Sequence, residues 1–454
     1  MTVVGRGVAI PGRISSLPLF DLLDSVGASA APVFERRESN VRSYCRSFPA
    51  TFARAKGAVV YDADGRPYLD FLAGAGALNY GHNHDYLKAA LLAYLADDGV
   101  AHGLDLHTSA KAAFLGAFEQ RILEPRGLDH KVQFTGPTGA NAVEAALKVA
   151  RKATGRTGVF AFMGGFHGHS LGALAATSNR EHRAAAGVPL DHVTFLPYPH
   201  GAMDRFDTLA YLEAVLDDSH SGVDLPAAVL VETIQAEGGV VVAPEGWLQR
   251  LRSICDRYGI VMIVDDIQTG CGRTGPFFSF ESAGIIPDIV TLSKSISGYG
   301  LPMSVVLLLP ELDVWEPAEH TGTFRGNQLA FVTATAALDV FGTEGLEART
   351  EANGVVVADF LQAEVCPLDA RIGVRGRGLI WGVDLAVLDD TGALARKVSE
   401  RCFAAGMLVE CVGRRDTVLK LLPPLTIDRS QLMEGLAILA SCLGELVPTA
   451  GQLS

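Results

Sequence analysis

Gly259–Gly275 reads GIVMIVDDIQTGCGRTG, and Pro287–Pro302 reads PDIVTLSKSISGYGLP. Ile260 to Val264 is a short apolar, β-branched run that ends abruptly in Asp265 and Asp266. A buried parallel strand that delivers acids to the edge of its sheet has this pattern. Ile289 to Leu292 is a second such run, and it delivers Ser293 and Lys294 ahead of a Gly-rich turn. A lysine at the end of a buried strand must lose its charge or use it.

One chemistry needs both ends of this arrangement. Lysine forms a Schiff base with an aldehyde cofactor, and a carboxylate keeps the ring nitrogen of pyridoxal phosphate protonated, so that the ring can accept electrons from a substrate carbon. On these two features alone, a lysine snorkelling from a strand end and an acid capping a loop would read the same way.

Working outward, Gly158 to Phe162 and Ala227 to Glu232 read as further core strands, and Lys131 to Phe134 as another. The last of these runs into TGPTGANAVEAALKVARK, where a Gly-rich turn opens a helix with apolar positions at Val143, Ala146, Leu147 and Ala150. Free amides and the positive end of a helix dipole suit a phosphate there, although many helices open on Gly or Thr for capping alone. Strand alternating with helix points to an α/β fold with a mostly parallel sheet. Before it, Ala58 to Phe71 alternates around Asp64-Gly65, the signal of a two-residue hairpin. Asp85 to Asp97 then reads as a helix. After Gly345 the pattern changes to a helix over Leu346 to Glu364, a strand pair in RIGVRGRGLIWGVDLA, a helix over Ala395 to Ala405 and a strand over Leu408 to Cys411.

The division expected is an N-terminal arm (1–32, with a short helix over Leu17 to Val26), the first part of a small α+β domain (33–98), a large cofactor-binding domain (99–344), and the rest of the small domain (345–454). GCGRTG at Gly270 to Gly275 matches the dinucleotide pattern GxGxxG, but Pro276 and aromatics follow where an amphipathic helix is required. His167 and His169 lack the further ligands of a metal site, so no metal is expected.

The pair DDIQTGCGRTG and LSKSISGYGLP resembles the cofactor-lysine region of class III aminotransferases, pyridoxal-phosphate enzymes of fold type I. The likeness extends from about Val33 to about Ile427. VRSYCRSFPATF, DFLAGAGALNYGHN, HGLDLHT, TGTFRGNQLAF and KLLPPLTI are most similar to family members that pair L-2,4-diaminobutyrate with 2-oxoglutarate. The resemblance implies that Lys294 carries pyridoxal 5'-phosphate and then serves as general acid and base. Asp265 would hold the ring nitrogen, Gln268 the ring hydroxyl, and the amides of Gly139 and Ala140 the phosphate. Phe166 would stack on the ring with His167 nearby, and Thr323 would reach the cofactor phosphate of a neighbouring subunit, which makes a homodimer the minimum assembly.

The implied reaction makes L-2,4-diaminobutyrate and 2-oxoglutarate from L-aspartate 4-semialdehyde and L-glutamate. Alternatives on the same scaffold are transamination of ornithine, lysine or GABA, or an aminomutase or epimerase reaction that needs no oxo-acid acceptor. Family members that use ornithine or GABA commonly place an arginine where His169 stands, and a glutamate over a second arginine where this chain has Glu237 and Lys420. Lysine gives a point charge in place of a bidentate fork, which makes Arg325, beside Thr323, the candidate carboxylate grip.

Composition sets the outer bounds. The chain has 454 residues, 48% hydrophobic, ample for more than one core. A net charge of −13 argues against nucleic-acid and anionic-membrane partners. Seven cysteines without a CxxC pair suit reduced thiols, and the absence of a secretory pattern or of a long apolar run leads us to expect a cytoplasmic protein.

Overall fold

The computed structural model describes residues 31–200 and 205–447. The expected helix over Leu17 to Val26 and nearly all of the arm lie outside the described residues. The main sheet has seven strands: β1 (Lys131–Phe134), β2 (Val159–Phe162), β3 (Val193–Leu196), β4 (Ala228–Val231), β5 (Val261–Asp265), β6 (Ile289–Leu292) and β7 (Val305–Leu308). Their order across the sheet is β1-β7-β6-β5-β4-β2-β3. Every neighbouring pair is parallel except those made by β7, which runs antiparallel to both β6 and β1.

The continuous apolar runs follow from cover on both faces. Val261, Ile263 and Ile289 pack with the helix Gly139–Thr154 on one side. Met262, Val264, Val290 and Leu292 face the other, in a core that includes Phe114, Phe118, Phe277 and Phe331. Strands β2, β4, β5, β6 and β7 are buried at every position, which removes the in-out alternation of a half-exposed sheet. The register sets Val264 beside Val290 and Asp265 beside Thr291, so Asp265 and the turn that begins at Lys294 emerge at one sheet edge.

Two four-stranded sheets flank this one, and Ile234–Gln235 pairs with Val241–Val242 in a separate two-stranded ribbon. Phe52–Lys56, Val59–Asp62 and Pro67–Asp70 form a meander, and Met407–Leu408 joins it parallel to its third strand. The connection 63–66 is longer than the two-residue loop expected at Asp64-Gly65, because Asp62 Oδ1 caps it by accepting from the amides of Asp64 and Arg66. The other small sheet has the order Gly373–Arg377, Ile380–Asp384, Val418–Leu421, Glu410–Val412. The strand expected over Leu408 to Cys411 is therefore two. Leu408 pairs with Asp70, whereas Glu410 pairs with Lys420 in a different sheet.

The GCGRTG stretch is an interior clamp. Arg273 has no exposed surface, and its Nη1 donates to the carbonyls of Leu379 and Pro423 at 2.9 and 2.5 Å, its Nη2 to Asn79 Oδ1 at 2.6 Å. Burial pulls this guanidinium down to about 9, against the charge of Asp70. Among the described residues no single helix is long and apolar enough to cross a membrane.

Candidate active site

The carboxyl ends of β5 and β6 and the opening of the helix Gly139–Thr154 enclose a cavity of about 160 Å³. Asp265 and Asp266, left open by their strand position, diverge. Asp265 lines the cavity, where its Oδ2 lies 2.7 Å from His167 Nδ1 and its Oδ1 accepts from Thr291 Oγ1 at 3.1 Å and the Ile267 amide at 3.2 Å. Asp266 turns away to accept from Thr269 Oγ1 and the Ser279 amide, and burial pushes its carboxyl up to about 6.

Opposite Asp265, Lys294 is half-buried in the cavity lining and sits in the left-handed region with φ +49°. A non-glycine residue there carries roughly 1–3 kcal/mol of strain, of the kind that persists where the surroundings fix a functional side chain. Burial holds its ammonium below the ordinary lysine value; the charge of Glu237 opposes this and that of Lys420 adds to it.

Gly139 and Ala140 line the third side. They open the helix after Thr138, and Asn141 Oδ1 reaches back to the Thr138 amide at 3.3 Å and its hydroxyl at 2.9 Å. The first-turn amides have no partners within the helix and present its positive end to the cavity. The backbone is tight here: Gly168 has φ +128°, and a Cβ on it would come 2.7 Å from Ala140 Cβ.

Phe166 and His167 line the cavity together. Burial works against a charged His167, but the hydrogen bond and charge of Asp265 outweigh it and hold the imidazole above its ordinary value. Glu232 is a cavity residue that the sequence offered only as a strand end. Its Oε2 accepts from the Phe166 amide at 3.1 Å, and burial, with Asp265 adding and His167 opposing, pushes its carboxyl up to about 7.

Gln268 Nε2 donates to the Ala75 carbonyl at 2.9 Å and to Glu237 Oε1 at 3.1 Å, while its Oε1 accepts from Lys420 Nζ at 2.9 Å. Lys420 pairs with Glu237 Oε1 at 2.5 Å, as the sequence reading set them opposite each other, and also with Glu410 Oε1 at 3.0 Å. Glu410 was missed because its strand was read as part of the run through Leu408. Tyr44 faces the same group; burial, then Glu410 and Glu237, push its phenol above the ordinary value.

Three of the expected residues lie elsewhere. His169 is exposed, with its ring against Phe166 and His182 at centroid distances of 5.2 and 4.7 Å. Thr323 is exposed, and Arg325 sits 3.8 Å from Asp105 and donates to Thr321 Oγ1 at 3.4 Å, so within one chain neither lines the cavity. Among the described residues no cluster could hold a metal ion. A larger open groove of about 350 Å³ between the helices Ala393–Ala404 and Arg429–Leu446 includes Arg401, Glu445 and Cys442, and none of the groups described above.

A lysine and a carboxylate at the ends of adjacent strands, with a helix N-terminus beside them, define a site for an aldehyde cofactor that carries an anionic group. The model of the family described as Aminotransferase class-III matches residues 42–443, and the chain belongs to that family. It is 54% identical over 422 residues to the diaminobutyrate–2-oxoglutarate transaminase of Nocardia farcinica, covering 93% of this chain and 96% of that protein. The enzyme of the same name from Streptomyces anulatus is 54% identical over 417 residues, covering 92% and 98%. Among solved structures, an ornithine aminotransferase from Toxoplasma gondii with partial occupancy of PLP at its active site superposes with a TM-score of 0.80 at 28% identity, covering 94% of this chain and 97% of that one.

Proposed function

We propose that this chain transfers an amino group between L-glutamate and L-aspartate 4-semialdehyde, forming L-2,4-diaminobutyrate and 2-oxoglutarate. The observation that carries the reading is Lys294 and Asp265 facing one cavity from adjacent strand ends, in a chain 54% identical over 92–93% of its length to transaminases of that name. The cofactor is pyridoxal 5'-phosphate. The residues fit it: a half-buried lysine in the cavity lining shifted toward its neutral form, a buried carboxylate braced by an imidazole, and free amides at a helix start, with no Cβ room at Gly168.

When bound, the cofactor supplies a carbonyl that takes up the amino group and a ring that accepts the electron pair of the substrate carbon. Asp265, fixed by His167 and Thr291, would stabilise a protonated ring nitrogen. The amides of Gly139 and Ala140 would hold the phosphate, Phe166 would pack on the ring, and Gln268 would serve the ring hydroxyl. Lys294 Nζ, as a neutral amine, carries a proton to and from the reacting carbon.

Thr323 and Arg325 act on the cavity of a second copy, Thr323 at the phosphate and Arg325 at a substrate carboxylate. Support comes from the exposed apolar group around them: Leu104, Leu106 and Phe324 are 50%, 64% and 68% exposed, and His102 packs on Phe324. An apolar patch of this kind suits a homodimer interface.

The test is glutamate formation from L-2,4-diaminobutyrate and 2-oxoglutarate, with ornithine, lysine and 4-aminobutyrate as rival donors. Preference for diaminobutyrate is the expected result. Preference for another donor would move the substrate, and product formation without the oxo acid would replace the reaction.

A further inference from the structure

Lys420 lies on Val418–Leu421 with no exposed surface, and carboxylates meet it from two directions. Glu237 arrives from the turn between the paired short strands Ile234–Gln235 and Val241–Val242, and Glu410 from the strand next to that of Lys420, directly across from it in the register. The Glu410 contact is an ion pair outside hydrogen-bond geometry. It leaves Glu410 Oε1 without a donor although the residue is only 8% exposed. Burial raises the Glu410 carboxyl and Lys420 opposes this; with Glu410 ionised, two carboxylates against one ammonium leave an excess negative charge beside the cavity that holds Lys294. The charged and titratable groups that interact with Glu410 are Lys420, Glu237, Lys294, Tyr44 and the adjacent Cys411.

The proposed reaction sends two unlike molecules through one pocket. Diaminobutyrate carries one more ammonium than carboxylate, whereas 2-oxoglutarate carries two carboxylates and no ammonium. A negative charge beside the pocket favours the first and disfavours the second, so the effect on their ratio is roughly the product of the two.

We propose that Glu410 is a specificity-determining residue that sets the balance between the two substrates, drawing the diamine in and holding the dicarboxylate back. This rests on the reading of the function given above. Glu237 and Lys420 alone would form a neutral pair and leave the pocket without that bias. Glu410 acts through the field it adds to the pair and requires no contact with the reacting atoms.

The experiment uses the holoenzyme of the parent, Glu410→Gln and Glu410→Asp, with kcat/KM measured for diaminobutyrate and for 2-oxoglutarate. In an alternating mechanism each value reports its own half of the reaction. Glu410→Gln is expected to lower the diaminobutyrate value and raise the 2-oxoglutarate value, shifting their ratio by about tenfold or more. Glu410→Asp, which keeps the charge, should stay near the parent. A Gln variant whose ratio stays within about threefold, including an equal loss in both values, would overturn the proposal. Glu410→Ser serves as a second charge-free variant, and failure of both to fold would assign Glu410 to structure and overturn it equally. If the parent itself does not turn over diaminobutyrate, the function falls first, and that result is distinct from an active parent with an unmoved ratio.

Discussion

Lys420→Met removes the only cation between the buried Glu410 and the half-buried Glu237. In the parent, Lys420 Nζ lies 2.5 Å from Glu237, 3.0 Å from Glu410 and 2.9 Å from Gln268 Oε1, with no solvent on any side. Removing one partner of a buried ion pair costs about 3–5 kcal/mol, because the remaining charge is left uncompensated. The unfolding entropy of a chain of this length is about 1 kcal/mol/K, so the loss should lower Tm by about 3–5 °C.

The pH dependence supplies the sign. Burial raises the Glu237 carboxyl, but Lys420 overrides it and holds it at about 2, so in the parent its contribution to stability is present above the unfolded value and lost only as pH falls toward 2. Without Lys420, burial is opposed on Glu237 only by Lys294 and the Gln268 hydrogen bond, and on Glu410, whose carboxyl is already raised in the parent, only by Lys294, so both carboxyls rise. A carboxyl raised by folding stabilises below its unfolded value near 4.3, and that contribution is lost as pH rises. The Tm deficit of Lys420→Met should therefore be larger at pH 8 than at pH 5, as read by thermal melting of parent and variant side by side. A deficit below about 1 °C at both pH values, or one larger at pH 5, would refute the reasoning. Neutralising both carboxylates as well, in Lys420→Met/Glu237→Gln/Glu410→Gln, should restore much of the loss.

Other perturbations follow from the same geometry. Lys294→Ala should lower glutamate formation by at least about 10²–10⁴-fold while the fold persists, since it removes the proton carrier; retention of a tenth of parental activity would exclude that role. Glu232, raised to about 7, contributes stability below the unfolded carboxyl value that is lost as pH rises through 7, so Tm should fall from pH 5 to pH 8 by more in the parent than in Glu232→Gln. Equal slopes would count against a buried, proton-holding Glu232. Arg273→Met leaves Asn79 Oδ1 and the carbonyls of Leu379 and Pro423 without their donor, a loss of about 3–5 kcal/mol by denaturant unfolding, and a value under about 1 would contradict the clamp.

What could be read in the sequence was set by local physics. Strands β4, β5 and β6 are covered on both faces, so their apolar runs are unbroken and end where solvent or a cavity begins. Rejection of a dinucleotide site at GCGRTG was also local, resting on Pro276. The role of Arg273 was not, because its acceptors come from positions 79, 379 and 423. Asp265 and Asp266 are equivalent in the sequence pattern; their difference depends on which side of β5 has His167 and which has Ser279. Glu410 was hidden for the same reason. The chain crosses between sheets at Val409 because Leu408 finds its partner in Asp70, far away in sequence.

The two lysines of the site are coupled, and the coupling bears on how the Glu410 variants are to be read. Lys294 must offer a neutral amine, and burial and the fixed charge of Lys420 push it that way, while Glu237 and Glu410 hold its proton. Glu410→Gln removes one of the groups that hold the proton, so the neutral amine becomes more available. A fall in kcat/KM for diaminobutyrate in that variant therefore cannot come from a more protonated Lys294. The sign of the change in the 2-oxoglutarate value then separates an altered field from a damaged site, because damage lowers both values and the loss of a negative charge moves them apart.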